Sequence, residues 1–308
     1  MNYGKKGVRA KQKALNSKSQ KWGRKLALTC VKIMLAAVVG IGICGVAAGI
    51  GVFRGILSST PTIRLSDVVA VGEATIVYDK EGNEIDQYVS TNSNRLSVGM
   101  DEIPDYMGKA FVAIEDERFY QHNGIDFKSI LRAGYQFLKT GGEEAQGAST
   151  ITQQLIKNNV FGGGREKSFG ETVERKLQEQ YLAVKLSKTM SKELVLTNYL
   201  NTINLGNNTL GVKVAARRYF GKEVSDLTLS ECTVIAGNTQ NPSRLNPISG
   251  RERTEEKRRV ILQYMFAQGY ISKDLQAEDS ADNVSASTQN GDSAPNEISI
   301  PHTYTTDQ

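Results

Sequence analysis

The chain has 308 residues, a hydrophobic content of 39% and a formal net charge of +5. This length suits one large domain or two average ones, and the composition excludes a chain that is disordered throughout. The charge is unevenly distributed, because no acidic residue precedes Asp67 while lysine and arginine crowd the first 32 residues.

An apolar run from Ile33 to Phe53 directly follows the basic start. About 20 such residues span a bilayer, and a cleaved signal peptide has a shorter apolar core. We therefore interpret 1–32 as a basic cytoplasmic segment and 33–53 as an uncleaved transmembrane helix. A basic arm that binds nucleic acid is the weaker interpretation, and no nucleic-acid partner is expected. The positive-inside rule places the N-terminus in the cytoplasm and everything after Arg54 outside the cell membrane.

The region after the anchor divides into three parts. Residues 54–100 form a juxtamembrane lead-in, in which two strand-like runs between Thr75 and Tyr88 predict a small β-hairpin. Residues 101–278 carry apolar residues at helical spacing, so the fold class is mainly α. Residues 279–308 are polar and are interpreted as a linker or tail. Cys232 lies in an apolar helical pattern and is interpreted as a small buried hydrophobe.

Adjacent carboxylates mark the segment EDERFYQHNG, from Glu115 to Gly124. Adjacent residues cannot share one helix face, so either Glu115 or Asp116 can face a cleft while the other holds local structure. A solvated acidic helix end is the alternative. His122 is expected to fix the loop around Gly124, because no spacing of His, Cys or acidic residues supports a metal site.

A capped helix start marks the segment GASTITQQLIKN, from Gly147 to Asn158. Ser149 or Thr150 can cap the helix, with Gln153 three residues beyond Thr150. Helical spacing places Gln153 and Lys157 on one face, next to a row formed by Gln154 and Asn158. Backbone N–H groups at such a start favour anions. A capped surface helix without a ligand is the alternative.

Basic residues surround a further carboxylate downstream. Arg165 follows a run of three glycines, and Arg175 and Lys176 precede Glu179 by four and three residues. These cations can hold a pyrophosphate that Glu179 helps to organise. An exposed helix with surface salt bridges is the alternative.

Together these segments resemble the peptidoglycan glycosyltransferase family, which comprises the lysozyme-like transglycosylase module of class A penicillin-binding proteins and the monofunctional transglycosylases. The resemblance runs from about residue 103 to about residue 275 and includes two further motifs, RKLQE from Arg175 and YLNTINLG from Tyr199. The chain departs from the family pattern at Ser187, where an acid is usual, and at Asn204, where an aromatic residue is usual. These departures put local packing or substrate preference in doubt, but not the reaction class.

The resemblance implies polymerisation of lipid II onto an undecaprenyl-pyrophosphate-linked glycan, in or at the membrane. It implies Glu115 and Glu179 as catalytic residues, with Glu115 as the general base. It implies no required cofactor, and it is compatible with a divalent cation and with cell-wall synthesis proteins as partners. The residues that it implies for substrate binding are Asp116, Phe119, His122, Ser149, Thr150, Gln153, Gln154, Lys157, Asn158, Arg165, Arg175 and Lys176.

Two other functional classes stay open at this point. A lysozyme-like enzyme that cleaves glycan would also use a lone acid in a helical cleft, and the segment could serve as an inactive membrane scaffold. No serine has a lysine three residues later, as a transpeptidase nucleophile motif requires. The chain is therefore expected to be either a monofunctional enzyme or part of a bifunctional one.

Overall fold

The computed structural model describes residues 4–15, 18–69, 74–88, 94–140, 147–164, 166–245, 247–248, 250–277 and 279. The chain divides into two compact units, residues 1–60 and 61–308. The predicted tail, 279–308, lies outside the described residues apart from Asp279, and Arg165 also lies outside them.

The first unit consists of two helices, α1 (Lys5–Leu15) and α2 (Lys18–Ser58). The part of α2 from Trp22 to Ser58 has a mean hydropathy of 2.5 in its most apolar window and is long enough to cross a membrane. Helical backbone continues on both sides of the predicted span 33–53, because the flanking residues favour a helix as well. The limits of the anchor within α2 stay a prediction.

The second unit begins with the predicted β-hairpin. Strands β1 (Thr75–Tyr78) and β2 (Glu84–Tyr88) pair in antiparallel register, with Thr75 opposite Tyr88. Asp79 closes the turn, since its carboxylate accepts hydrogen bonds from the backbone N–H groups of Glu81 and Asn83. The local turn signal in the sequence therefore predicted this element correctly.

The rest of the second unit is helical, which confirms the predicted fold class. Its helices are α3 (Asp105–Glu115), α4 (Phe127–Thr140), α5 (Ile151–Asn159), α6 (Phe169–Leu186), α7 (Lys192–Thr202), α8 (Val212–Phe220), α9 (Leu229–Gly237) and α10 (Arg251–Ala267). Helix α3 packs against α9 and α10, and α5 packs against α6 and α7.

A single large apolar core joins these two helix groups. Phe111 of α3 and Tyr199 of α7 are fully buried, and their rings meet edge to face with centroids 5.9 Å apart. Leu155 of α5 and Leu182 of α6 are buried in the same core. Each such side chain contributes about 1.5–3 kcal/mol by leaving water. This core fixes the ends of α3, α5 and α6 relative to one another.

Cys232 of α9 belongs to this core as well. Burial raises the pKa of its thiol to about 12, so the thiol stays protonated and unreactive near neutral pH. The interpretation of Cys232 as a small buried hydrophobe is confirmed.

Candidate active site

A polar pocket of about 200 Å³ lies where the C-terminal end of α3 meets α5 and α6. Its lining is Glu115, Ser149, Gln153, Gln154, Lys157, Lys176 and Glu179. All seven were singled out from the sequence, although they come from three separate motifs. The fold therefore brings the candidate base, the start of α5 and the basic cluster of α6 into one site.

Glu115 is the last residue of α3 and is partly exposed. Its carboxylate accepts a hydrogen bond of 2.8 Å from the Gln154 side-chain amide. The other carboxylate oxygen accepts a hydrogen bond from the Thr239 hydroxyl. A carboxylate oxygen offers two acceptor positions, so Glu115 can still take a substrate proton.

Asp116 faces away from the pocket and is buried. Its carboxylate lies 2.9 Å from His122 Nε2 and accepts a 3.0 Å hydrogen bond from the backbone N–H of Ile151. These contacts tie the first motif to the start of α5. The two adjacent carboxylates thus point in different directions, as helical spacing predicted. Glu115 lies at the cleft, and Asp116 holds local structure.

The start of α5 has the predicted capping box. The Thr150 hydroxyl oxygen accepts a hydrogen bond from the backbone N–H of Gln153, and the Gln153 side chain accepts one of 2.7 Å from the backbone N–H of Thr150. The Thr150 hydroxyl also donates to the carbonyl of Gly124, at 2.6 Å. Thr150 therefore joins the first two motifs, and Ser149 beside it reaches the pocket.

Gln154 links Glu115 to the core. Its side-chain oxygen accepts a 3.2 Å hydrogen bond from the Tyr199 hydroxyl, while its amide nitrogen donates to Glu115. Burial raises the pKa of Tyr199 well above its ordinary value, so this hydroxyl stays protonated and keeps donating. The orientation of the Gln154 amide is thereby fixed, and with it one hydrogen bond to Glu115.

The charged cluster of α6 is packed rather than solvated. Glu179 is fully buried, accepts a hydrogen bond from Arg175, and lies 3.1 Å from the Lys176 ammonium. Arg175 also donates to Glu166 at 2.6 Å, and Lys176 donates to the Ser149 hydroxyl at 3.1 Å. The alternative of an exposed salt-bridged helix is therefore wrong for this end of α6.

Lys157 is the cation of α5 in this pocket. Within the described residues no carboxylate forms an ion pair with it, whereas Arg175 and Lys176 are both paired with Glu179. Burial, followed by repulsion from Lys176, lowers the pKa of Lys157. A half-buried ammonium held near other cations attracts an anion strongly.

Six predicted substrate-binding residues among those that the structure describes lie outside the pocket lining: Asp116, Phe119, His122, Thr150, Asn158 and Arg175. Phe119 is fully buried in the core, with the Lys192 ammonium 4.3 Å from its ring centroid. Its position corrects the expectation of a substrate contact, because an aromatic ring gains more from the core than from a polar cleft. Asp116, His122 and Thr150 shape the site through hydrogen bonds instead.

The two departures from the family pattern also lie outside the pocket lining. Ser187 is the C-terminal capping residue of α6, and its hydroxyl lies near Gly124. Asn204 accepts a 2.9 Å hydrogen bond from the backbone N–H of Gly206. Both residues therefore bear on local packing.

Sequence reasoning missed Thr239 and Lys257. Thr239 lies 124 positions after Glu115 and follows α9 in a short 3₁₀-helix, Asn238–Gln240. Lys257 of α10 donates a 2.7 Å hydrogen bond to Gln240, and the negative charge of Glu115 acts on it. Neither residue stands in one of the motifs, so only the packing of α3 against α9 and α10 reveals them.

No group of three or more His, Cys, Asp or Glu side chains suited to a metal ion is found among the residues that the structure describes. The charged groups of the pocket lining are the carboxylates of Glu115 and Glu179 and the ammonium groups of Lys157 and Lys176.

Comparison with known proteins identifies the family of the chain. The transglycosylase family model matches residues 81–266. Penicillin-binding protein 1A of Clostridium perfringens (strain 13 / Type A) is 41% identical over 247 residues, which cover 77% of this chain and 35% of the relative. Penicillin-binding protein 1A of Escherichia coli (strain K12) is 38% identical over 243 residues, covering 79% of this chain and 28% of the relative.

A crystal structure of penicillin-binding protein 1A from Haemophilus influenzae aligns with 69% of this chain and 21% of that chain, at a TM-score of 0.39 and 24% identity. The chain spans about a third of the length of the first of these curated relatives. Since the family model covers more than half of the chain, the protein belongs to the transglycosylase family, whose domain occurs in these penicillin-binding proteins.

Proposed function

We propose that this protein is a membrane-anchored peptidoglycan glycosyltransferase that polymerises lipid II into β-1,4-linked glycan strands. The donor is the growing glycan on undecaprenyl pyrophosphate, and the acceptor is a new lipid II molecule. The observation that carries the proposal is the shared pocket, in which the Glu115 carboxylate stands among Lys157 and Lys176.

The proposed reaction is one displacement at the anomeric carbon of the donor. The acceptor 4-hydroxyl oxygen forms the new bond while the bond to the pyrophosphate oxygen breaks, and that electron pair leaves on the pyrophosphate. Glu115 takes the hydroxyl proton. A single displacement from the opposite face inverts the α-pyrophosphate to a β-linkage. A partly exposed carboxylate at the end of α3 suits this role, because it keeps acceptor positions for a proton.

The leaving pyrophosphate needs positive charge more than it needs a general acid. Lys157 and Lys176 line the pocket, and Arg175 stands behind them on α6. Glu179 is buried under these cations and fixes their positions, so its role is to organise the anion site. Ser149 and Gln153 contribute polar groups at the start of α5.

The expected location is the bacterial cell membrane, with one span, a cytoplasmic N-terminus and the catalytic unit outside. The basic start before the apolar part of α2 supports this orientation. Helix α4 supports the location at a membrane, though not the orientation, since it exposes Phe127, Leu131 and Leu138 and buries none of its residues. Such an apolar surface suits contact with lipid.

Polymerisation of labelled lipid II by the detergent-solubilised chain tests the proposal. We expect glycan that lengthens with time and is resolved as a ladder on a gel. A chain that makes no polymer across detergents and divalent cations, yet shortens purified glycan strands, would instead be a lysozyme-like hydrolase. Absence of both activities would favour the scaffold interpretation.

A further inference from the structure

Thr239 places a hydroxyl group directly against the candidate base. The residue is partly buried in the 3₁₀-helix that follows α9. Its hydroxyl donates to one oxygen of the Glu115 carboxylate and lies 3.0 Å from the carbonyl oxygen of Ala236. Thr239 comes from none of the segments that carry the rest of the pocket.

The hydroxyl has one proton and two acceptors within reach. A hydroxyl can donate its proton to one oxygen while its own oxygen accepts another hydrogen bond. The Gln154 group at the other oxygen of Glu115 is an amide nitrogen, which can only donate. Of these two partners, only Thr239 can therefore satisfy both the charged and the protonated form of Glu115.

We propose that Thr239 is a positioning residue for the base, holding the Glu115 carboxyl group in place before and after proton transfer. This inference rests on the proposed function. Before the reaction, the Thr239 hydroxyl donates to the carboxylate. When the acceptor hydroxyl of the substrate loses its proton to Glu115, the new carboxyl O–H donates to the Thr239 oxygen, and the Thr239 hydroxyl turns to the Ala236 carbonyl. Thr239 neither gains nor loses a proton in this exchange.

Other charged and titratable side chains surround Glu115. They are Lys157 on α5, Lys176 and Glu179 on α6, Tyr199 on α7 and Lys257 on α10. The test requires a substitution that does not displace them. A substitution at Thr239 leaves all of them in place, since its hydrogen bonds reach only Glu115 and Ala236 among the described residues.

The test compares Thr239→Val, Thr239→Ser and a matched control, Thr233→Val, in the full chain. Valine keeps the shape of threonine without the hydroxyl, and serine keeps the hydroxyl. Thr233 is fully buried on α9, and its hydroxyl donates to the carbonyl three residues earlier, just as the Thr239 hydroxyl lies near the carbonyl of Ala236. Among the described residues no carboxylate forms a hydrogen bond with the Thr233 hydroxyl. Rates of lipid II polymerisation are measured against lipid II concentration, which separates kcat from KM, and the thermal unfolding midpoint of each variant is measured beside them.

We expect Thr239→Val to lower kcat about tenfold or more, because the Glu115 carboxyl group is no longer held in the position from which it takes the proton. The KM should change less than about twofold, because Thr239 does not touch the leaving group. Thr239→Ser should restore most of kcat, and Thr233→Val should behave as wild type.

An unchanged kcat in Thr239→Val would overturn the inference, while polymerisation by the wild-type chain would leave the proposed function intact. Equal loss in Thr239→Ser, or in Thr233→Val, would also overturn it, because the effect would then come from packing. A wild-type chain that makes no polymer contradicts the proposed function, and the inference with it.

Discussion

At the scale of single residues, the neighbouring carboxylates have different tasks. Glu115 reaches the pocket, and Asp116 is buried against His122 and the start of α5. The sequence predicted that the two must diverge, since adjacent residues cannot share a helix face. It did not decide which one faces the cleft, because that depends on where α3 ends.

Asp116→Asn is expected to destabilise the fold by about 1–3 kcal/mol, because an NH2 group, which cannot accept a hydrogen bond, replaces one of the two buried carboxylate oxygens near His122. Thermal unfolding of the solubilised chain measures the change. Asp105→Asn is the control, since its side chain is 77% exposed and surface ion pairs contribute little. Equal midpoints for wild type and Asp116→Asn would contradict the structural role of Asp116.

Lys157 makes the proposed anion site sensitive to alkaline pH. Burial and the neighbouring Lys176 lower the pKa of Lys157, so its ammonium loses its proton at a lower pH than an ordinary lysine does. Attraction for pyrophosphate should therefore fall as pH rises through that pKa. Lys157→Arg stays charged and should move the rise in the KM for lipid II to higher pH. Profiles of KM from about pH 7 to about pH 10 measure this shift.

An uncharged Lys157→Gln variant provides the comparison for this profile. It should have a high KM at every pH, because the cation is absent throughout. A Lys157→Gln variant with the same KM and the same alkaline profile as wild type would contradict a role for Lys157 in holding the anion.

At the scale of elements, local signals in the sequence predicted the β-hairpin and the capping box of α5. Both depend on residues a few positions apart, such as Asp79 with Asn83 and Thr150 with Gln153. The burial of Glu179 could not be predicted in this way. Helical spacing alone permits both an exposed and a buried salt-bridged face, and only the packing of α5 against α6 decides between them.

Gly124 shows how closely the first motif approaches α6. Its φ is +90°, and a Cβ there would lie 2.3 Å from the carbonyl oxygen of Ala183. Gly124→Ala should therefore destabilise the chain by on the order of 3 kcal/mol, through strain and overpacking.

Gly134→Ala is the matched control for that substitution. Gly134 lies inside α4 with nothing within 4 Å of an added Cβ, so alanine should stabilise the chain by about 0.5–1 kcal/mol. Thermal midpoints of the two variants should move in opposite directions. A Gly124→Ala variant as stable as wild type would contradict the close contact between the first motif and α6.

At the scale of the whole molecule, the chain divides into two compact units, 1–60 and 61–308, and the apolar helix lies in the first. The finer boundaries that the sequence suggests, at 32, 53, 100 and 278, stay predictions. The ends of the membrane-embedded part within α2 cannot be read from backbone structure, because a helix can continue past the bilayer on either side. The orientation is a prediction from charge alone.

Thiol labelling tests that orientation in intact cells. In a chain with Cys30 and Cys44 changed to Ser, Lys80→Cys should react with a membrane-impermeant maleimide, since the Lys80 side chain is 89% exposed. Lys11→Cys should react only after permeabilisation, because the basic start is expected inside. The native Cys232 is fully buried and should not react with the maleimide. The reverse labelling pattern would contradict the assigned topology.

The central claim is that Glu115 is the base of a polymerising glycosyltransferase, and the most direct test compares Glu115→Gln with Glu117→Gln in polymerisation of labelled lipid II. Glu117 stands in the same motif, but its side chain is 54% exposed and outside the pocket lining. Glu115→Gln should lose at least about 100-fold in rate, because the proton acceptor is gone, while Glu117→Gln should polymerise like wild type. Wild-type rates in Glu115→Gln would contradict the account.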